Sequence, residues 1–158
     1  MLLIFMRHGE AVPEEPGLAN RDRQLTKKGK RQARATASIL AKFLKERPVR
    51  IFTSPYLRCR QTAQILAEGC FAEGLHLADE LLQGEFPLVE SALLPEDGPV
   101  AFVSHHPFLQ NYLYQTAGAA VKFEQAAVAV VDYDTETGRG KLIAYFTPKL
   151  KDIRKEKK

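Results

Sequence analysis

Cysteine is scarce in this chain. Cys59 and Cys70 are the only two, and they form no Cys-x-x-Cys pair of the kind that holds zinc. Neither is followed six residues later by arginine, which excludes the phosphate loop of cysteine-dependent phosphatases. Two thiols suit a reducing compartment, and a chain of 158 residues can fold without a disulfide. Both therefore read as small core or near-core residues. Long hydrophobic runs are also lacking. The longest falls far short of the roughly 18 residues of a membrane span, although apolar residues make up 45% of the chain, enough for a sizeable core. The N-terminus lacks the basic segment, the longer apolar segment and the small-residue cleavage site of a secretory signal, so a cytoplasmic protein is expected. Internal repeats and Gly/Ser linkers are absent. The expectation is one domain over residues 1–148 and a basic tail over 149–158.

Charge of one sign is lacking in the body. The net charge is +4, and residues 149–158 alone carry a formal +4, which leaves residues 1–148 neutral. The tail reads as a solvated, frayed end. A basic overall balance located there, without interleaved aromatics or a recognised binding motif, argues against a nucleic-acid partner.

What is present is a pattern that occurs three times. An apolar run ends, and a residue able to bind or attack phosphate follows at once. Residues 2–6 precede Arg7-His8-Gly9, residues 49–53 precede Ser54-Pro55-Tyr56-Leu57-Arg58, and residues 100–103 precede Ser104-His105-His106-Pro107. Short apolar runs of this kind read as strands buried on both faces of a mostly parallel sheet. Ligands on such sheets bind beyond the carboxyl ends of the strands. Two histidines and two arginines should therefore converge on one rim.

The intervening segments read as helices. Thr26 can cap a helix running to about residue 47, stopped by Pro48, with Ala33, Ala37, Leu40, Phe43 and Leu44 as its apolar stripe and a solvated basic face opposite. Ser54 and Pro55 read as the cap and first position of a helix ending near Glu68–Gly69. A short strand is expected over 75–77, a short helix over 87–94 and a helix over 107–117 ended by Gly118. An antiparallel hairpin of strands 127–133 and 142–146 closes the chain. The fold class is α/β: a three-layer α/β/α sandwich on a mostly parallel mixed sheet.

The chemistry follows from residue types. His8 is the candidate nucleophile, because a neutral imidazole can attack phosphorus in line. One ring nitrogen must then be free while the other donates a hydrogen bond that fixes the tautomer. Gly9 would let the backbone approach the ligand. Arg7 and Arg58 present planar forks matched to phosphate oxygens, and His105 adds a second imidazole. Phosphoryl transfer relies on positioning and electrostatics, which such a cradle would supply without a metal or cofactor.

Arg7-His8-Gly9-Glu10, Leu25-Thr26-x-x-Gly29, Ser54-Pro55-x-x-Arg58-x-x-Gln61-Thr62-Ala63 and Val103-Ser104-His105-x-Pro107 together resemble the histidine phosphatase superfamily, with its phosphoglycerate-mutase-like fold. The short length and the Ser-His-x-Pro form look like the compact, SixA-type phosphohistidine phosphatase branch. The resemblance implies that His8 carries the phosphoryl group and that Arg7, Arg58 and His105 bind it, with His106 a neighbour at the rim. It also implies a proton-donating Glu four residues before a Gly. Glu80, ahead of Gly84, has that spacing and is chosen, with Glu85 and Glu10 as rivals. The asparagine that many larger members place near the first motif has no match, and Asn20 is not assigned that role. The expected partner is a phosphorylated protein carrying phosphohistidine or, failing that, a small phosphate monoester. A phospho-ligand binding module without turnover is the remaining reading. Neither a nucleic acid nor a membrane is expected as partner, and a monomer is favoured.

Overall fold

The computed structural model describes residues 1–149. The apolar run at the start becomes strand β1 (Leu2–Arg7), which lies inside the sheet with a partner on each side. Helix α1 (Lys27–Leu44), strand β2 (Val49–Thr53), helix α2 (Leu57–Gly69) and edge strand β3 (Ala72–Leu77) follow. Then come helix α3 (Phe86–Leu93), strand β4 (Val100–Ser104), helix α4 (Phe108–Ala117) and strands β5 (Val128–Asp134) and β6 (Arg139–Phe146). Among the described residues, six strands form one sheet in the order β3-β2-β4-β1-β5-β6. The first four in that order run parallel, and β5 and β6 are antiparallel to their neighbours, which makes the mixed sheet expected from the sequence.

Alternation along β1 builds two cores. Leu3 and Phe5 face one side of the sheet with Phe102, Phe86, Leu109 and Tyr112, beneath α3 and α4. Ile4 and Met6 face the other side with Ala33, Ala37, Leu40, Cys59, Ala63 and Leu66, beneath α1 and α2. Strands buried on both faces cannot alternate polar with apolar residues, which is why these runs are continuously hydrophobic. No helix among the described residues is long and apolar enough to cross a membrane.

Several boundaries differ from expectation, each for a local reason. Helix α1 stops at Leu44, because Lys45 and Glu46 take left-handed backbone with φ of 49° and 66°. Phe43 lies beside the buried stripe rather than in it and is exposed, whereas Ala33, Ala37, Leu40 and Leu44 are buried. Strand β3 is longer than the expected 75–77. It is an exposed edge strand, so burial left no hydrophobic signature in its first half. Two short 3-10 turns, Asn20–Asp22 and Asp79–Leu82, had no sequence signal. Apart from Lys149, the basic tail lies outside the described residues.

Candidate functional site

Strands β2, β4 and β1 are sheet neighbours and parallel, so their carboxyl ends share a rim. The register pairs Arg7 with Ser104 and Thr53 with Val103, which sets the three ends level. Backbone bonds continue past the strands: His8 N donates to Ser104 O (3.2 Å) and Ser54 N to Val103 O (3.0 Å). Topology thus delivers His8, Ser54 and His105 to one place. Arg58 reaches the same place from the first turn of α2.

His8, Arg58 and His105 are buried, and Arg7 is half-buried. The tautomer of His8 follows from its neighbours. Its Nδ1 lies 2.7 Å from the Gly9 carbonyl, which can only accept, so Nδ1 carries the proton. Its Nε2 lies 3.3 Å from Arg58 Nε, which can only donate, so Nε2 presents a lone pair. Burial, followed by the nearby cationic Arg58 and Arg7, holds the His8 pKa down at about 3. His8 is therefore a neutral imidazole with an unprotonated nitrogen facing a guanidinium. His105 is held at about 4, again chiefly by burial. Its Nε2 lies 3.4 Å from Ser54 Oγ, and its ring packs on Tyr56 with centroids 5.0 Å apart. The Tyr56 ring also lies 5.0 Å beneath the Arg58 guanidinium.

The two arginines are only partly satisfied by the protein. One Arg58 terminal nitrogen donates to the Asn20 carbonyl (2.9 Å), and one Arg7 terminal nitrogen donates to the Phe123 carbonyl (2.9 Å). Arg7 Nε is buried without a partner among the described residues. Burial destabilises both cations; Arg58 further disfavours the charge on Arg7, and Arg23 further disfavours that on Arg58. Desolvated cations with unused donors favour an anion beside them, since an anion would complete the hydrogen bonds and offset the charge.

Glycine and threonine hold the loop that carries His8. Gly9 N donates to Thr62 Oγ1 (3.1 Å), and Thr62 donates to the Arg58 carbonyl (2.8 Å), linking the two loops that carry His8 and Arg58. A Cβ on Gly9 would lie 2.4 Å from the Gly29 carbonyl oxygen, and one on Gly29 would lie 2.1 Å from the Glu10 carbonyl oxygen. Gly9 therefore makes a close approach to helix α1. Thr26 caps α1 by accepting from Gly29 N (3.0 Å), and Thr26 N donates to Glu10 O (3.0 Å). Gln61 Oε1 accepts from Leu25 N (2.7 Å). Thr62, Gln61 and Gly29 were all visible as motif letters, yet their roles depend on contacts between segments that are distant in sequence.

Ser54 departs from expectation. Helix α2 starts at Leu57 without a side-chain cap, and Ser54 Oγ instead accepts from Tyr56 N (3.3 Å) and faces His105. Tyr56, unassigned in the sequence, forms the aromatic wall between His105 and Arg58. His106 turns aside to a short contact with Gln110.

The three candidate carboxylates separate. Glu10 faces Lys28 at 3.7 Å, and Glu85 is exposed. Glu80 lies in the turn Asp79–Leu82, which is tied to the rim by Ala78 N to Thr53 O (2.9 Å) and by Ser104 Oγ to Leu81 O (3.1 Å). One Glu80 carboxylate oxygen is buried without a hydrogen-bond partner among the described residues.

Comparison with known proteins gives a consistent picture. Residues 3–83 match the model of the histidine phosphatase superfamily (branch 1). The protein histidine phosphatase SixA, solved with tungstate, superposes with a TM-score of 0.82 at 28% identity, over 94% of this chain and 97% of that one. A phosphohistidine phosphatase SixA assignment from Agrobacterium tumefaciens gives 0.78 at 25% identity, covering 92% and 96%. One from Nakamurella multipartitia gives 0.74 at 21% identity, covering 92% and 94%, a likeness of fold. No curated protein sequence matches.

Proposed function

This chain belongs to the histidine phosphatase superfamily and is a phosphatase; we propose that it removes phosphoryl groups from protein phosphohistidine through a covalent intermediate on His8. The observation that carries this reading is the fixed tautomer of His8: Nδ1–H held by the Gly9 carbonyl, Nε2 unprotonated and accepting from Arg58 Nε. A nucleophile must offer a lone pair without first losing a proton, and a buried neutral imidazole does so across the physiological range.

In the first step, Nε2 of His8 bonds to phosphorus as the bond from phosphorus to the substrate nitrogen breaks. The electron pair stays on the departing imidazole, which takes a proton from Glu80. Arg7, Arg58 and His105 hold the oxygens on which charge accumulates. In the second step, water attacks phosphorus and its proton passes to the Glu80 carboxylate. The His8–phosphorus bond breaks, releasing phosphate and restoring the neutral ring. Glu80 suits this role because its buried oxygen lacks a partner on the same rim, whereas Glu10 is engaged with Lys28.

A protein substrate is supported by the small size of the chain. It covers 97% of the SixA structure, whose name states its action on protein histidine. The shared fold takes up 94% of these residues, which leaves few of them for a lid over small metabolites. The test is incubation with a labelled phosphohistidine protein. An acid-labile, alkali-stable label on His8 is expected, and His8→Ala should lose both label and turnover. Normal turnover by a clean His8→Ala preparation would overturn the mechanism. Fast turnover of small phosphate monoesters beside slow turnover of the protein would overturn the substrate assignment.

A further inference from the structure

A second surface feature adjoins the proposed cradle. A groove of about 1100 Å³ runs between one face of α1 and the segments around residues 122–125 and 148–149. Arg7 lines it, so the groove begins at a guanidinium of the proposed phosphoryl cradle. Lys28, Arg31 and Arg34, spaced three apart on α1, line one wall, and Lys122 lies opposite. The volume exceeds the roughly 300–1,000 Å³ of ordinary small-ligand pockets.

Two of the groove's cations are already paired: Lys28 with Glu10 at 3.7 Å and Lys149 with Glu124 at 3.2 Å. Arg31, Arg34 and Lys122 are exposed and make no ion pair among the described residues. Residues 1–148 are formally neutral, so this cluster is positive charge segregated to one side of a balanced body.

We propose that this groove docks an acidic stretch of the phosphorylated protein partner, placing Asp or Glu side chains along Arg31, Arg34 and Lys122 while the phosphohistidine enters at Arg7. The inference rests on the protein-substrate reading. A polypeptide fits the lining better than a nucleic acid does. The groove's one aromatic ring, Phe123, is 1% exposed and offers no face for a base to stack on. The lining also includes the Glu124 carboxylate and the amides of Gln32 and Gln125, which suit a chain of mixed donors and acceptors. Gln32 links groove to site directly, because its Oε1 accepts from Glu10 N (2.9 Å) two residues beyond His8.

The test separates docking from turnover. A fluorescent, unphosphorylated Glu-rich peptide is titrated with the full chain by anisotropy, beside a Gln-rich peptide and a single-stranded oligonucleotide of equal charge. The Glu-rich peptide should bind at least about tenfold more tightly than the Gln-rich one and lose that advantage as salt shortens the screening length. Arg31→Gln with Arg34→Gln should weaken it by about tenfold, with turnover of phosphoramidate unchanged. Equal binding of the two peptides, indifference to the double substitution, or tighter binding of the oligonucleotide would each overturn the proposal. In a second arm, phosphohistidine peptides with acidic or Gln flanks are compared as substrates. The acidic flank should lower KM about tenfold with kcat little changed. Binding of the Glu-rich peptide without hydrolysis of either phosphohistidine peptide would sink the substrate reading and leave the groove standing. Hydrolysis without preference would sink the groove and leave the substrate reading.

Discussion

The two buried imidazoles should make this protein sensitive to mild acid, by an amount that can be worked out. His8 is held at about 3 and His105 at about 4, against an ordinary value near 6.5. The folded pKa values are lowered, so between them and about 6.5 the unfolded chain binds more protons than the folded one. Stability is therefore fully present above about pH 6.5 and is lost as pH falls toward the folded values. Each group contributes up to about 1.4 kcal/mol per pH unit in that window. From pH 6 to pH 5 the unfolded imidazoles go from mostly to almost fully protonated, so the pair should remove about 2 kcal/mol. That is a large fraction of the 5–15 kcal/mol typical of a domain, and corresponds to roughly 5 °C in Tm. Urea unfolding at the two pH values measures it. The comparison is His8→Asn with His105→Asn, which keeps a donor near each Nδ1 position and removes the titration. The double variant should lose about 2 kcal/mol less than the parent over this interval. Equal losses in both proteins would show that these rings are not held neutral by the fold, and would remove the basis for a lone pair on His8.

Other perturbations probe the neighbouring parts. Arg58→Lys removes the planar donor at His8 Nε2, and kcat on p-nitrophenyl phosphate should fall by about 100-fold or more; a change under threefold would exclude Arg58 from the cradle. Gly29→Ala places a Cβ 2.1 Å from the Glu10 carbonyl oxygen, a rigid neighbour. Thermal unfolding should show a loss of about 1–3 kcal/mol, and an unchanged Tm would mean that the loop yields. Glu80→Gln should lower kcat about 100-fold for alkyl phosphate esters, whose alkoxide leaving groups need a proton, and less than tenfold for phosphohistidine, whose imidazole is protonated readily near neutral pH. Equal losses on both substrates would remove Glu80 from protonation of the leaving group and leave it only in the hydrolysis of phospho-His8 that both substrates share.

The sequence was most legible where burial leaves no choice. The β1, β2 and β4 runs are continuous because both faces are covered, and the residues following them had to fall on one rim once the strands were parallel. This put Arg7, His8 and His105 at the strand ends where the structure has them, without any contact being known. Arg58 was legible through its distance from the Ser-Pro start, although the helix begins two residues later than the cap rule implied. Contacts between distant segments were not legible. Ser54 resembles a helix cap until His105 arrives from β4, and the need for a glycine at position 9 to clear the Gly29 carbonyl appears only once α1 is packed beside it. Edge strand β3 escaped because exposure removes the periodicity from which a strand is read.

The sheet order has a consequence for how such a molecule comes into being. The strand that leads to His8 is synthesised first, yet its neighbours are β4 and β5, with Leu3 beside Val100 and Leu2 beside Asp132. Pairings so far apart along the chain form late and slowly. A nascent polypeptide must therefore extend through β5 before the imidazole of His8 gains its scaffold. Until then the ring is an ordinary histidine, and a product truncated before β5 would carry Arg7-His8-Gly9 without the burial that holds the imidazole neutral.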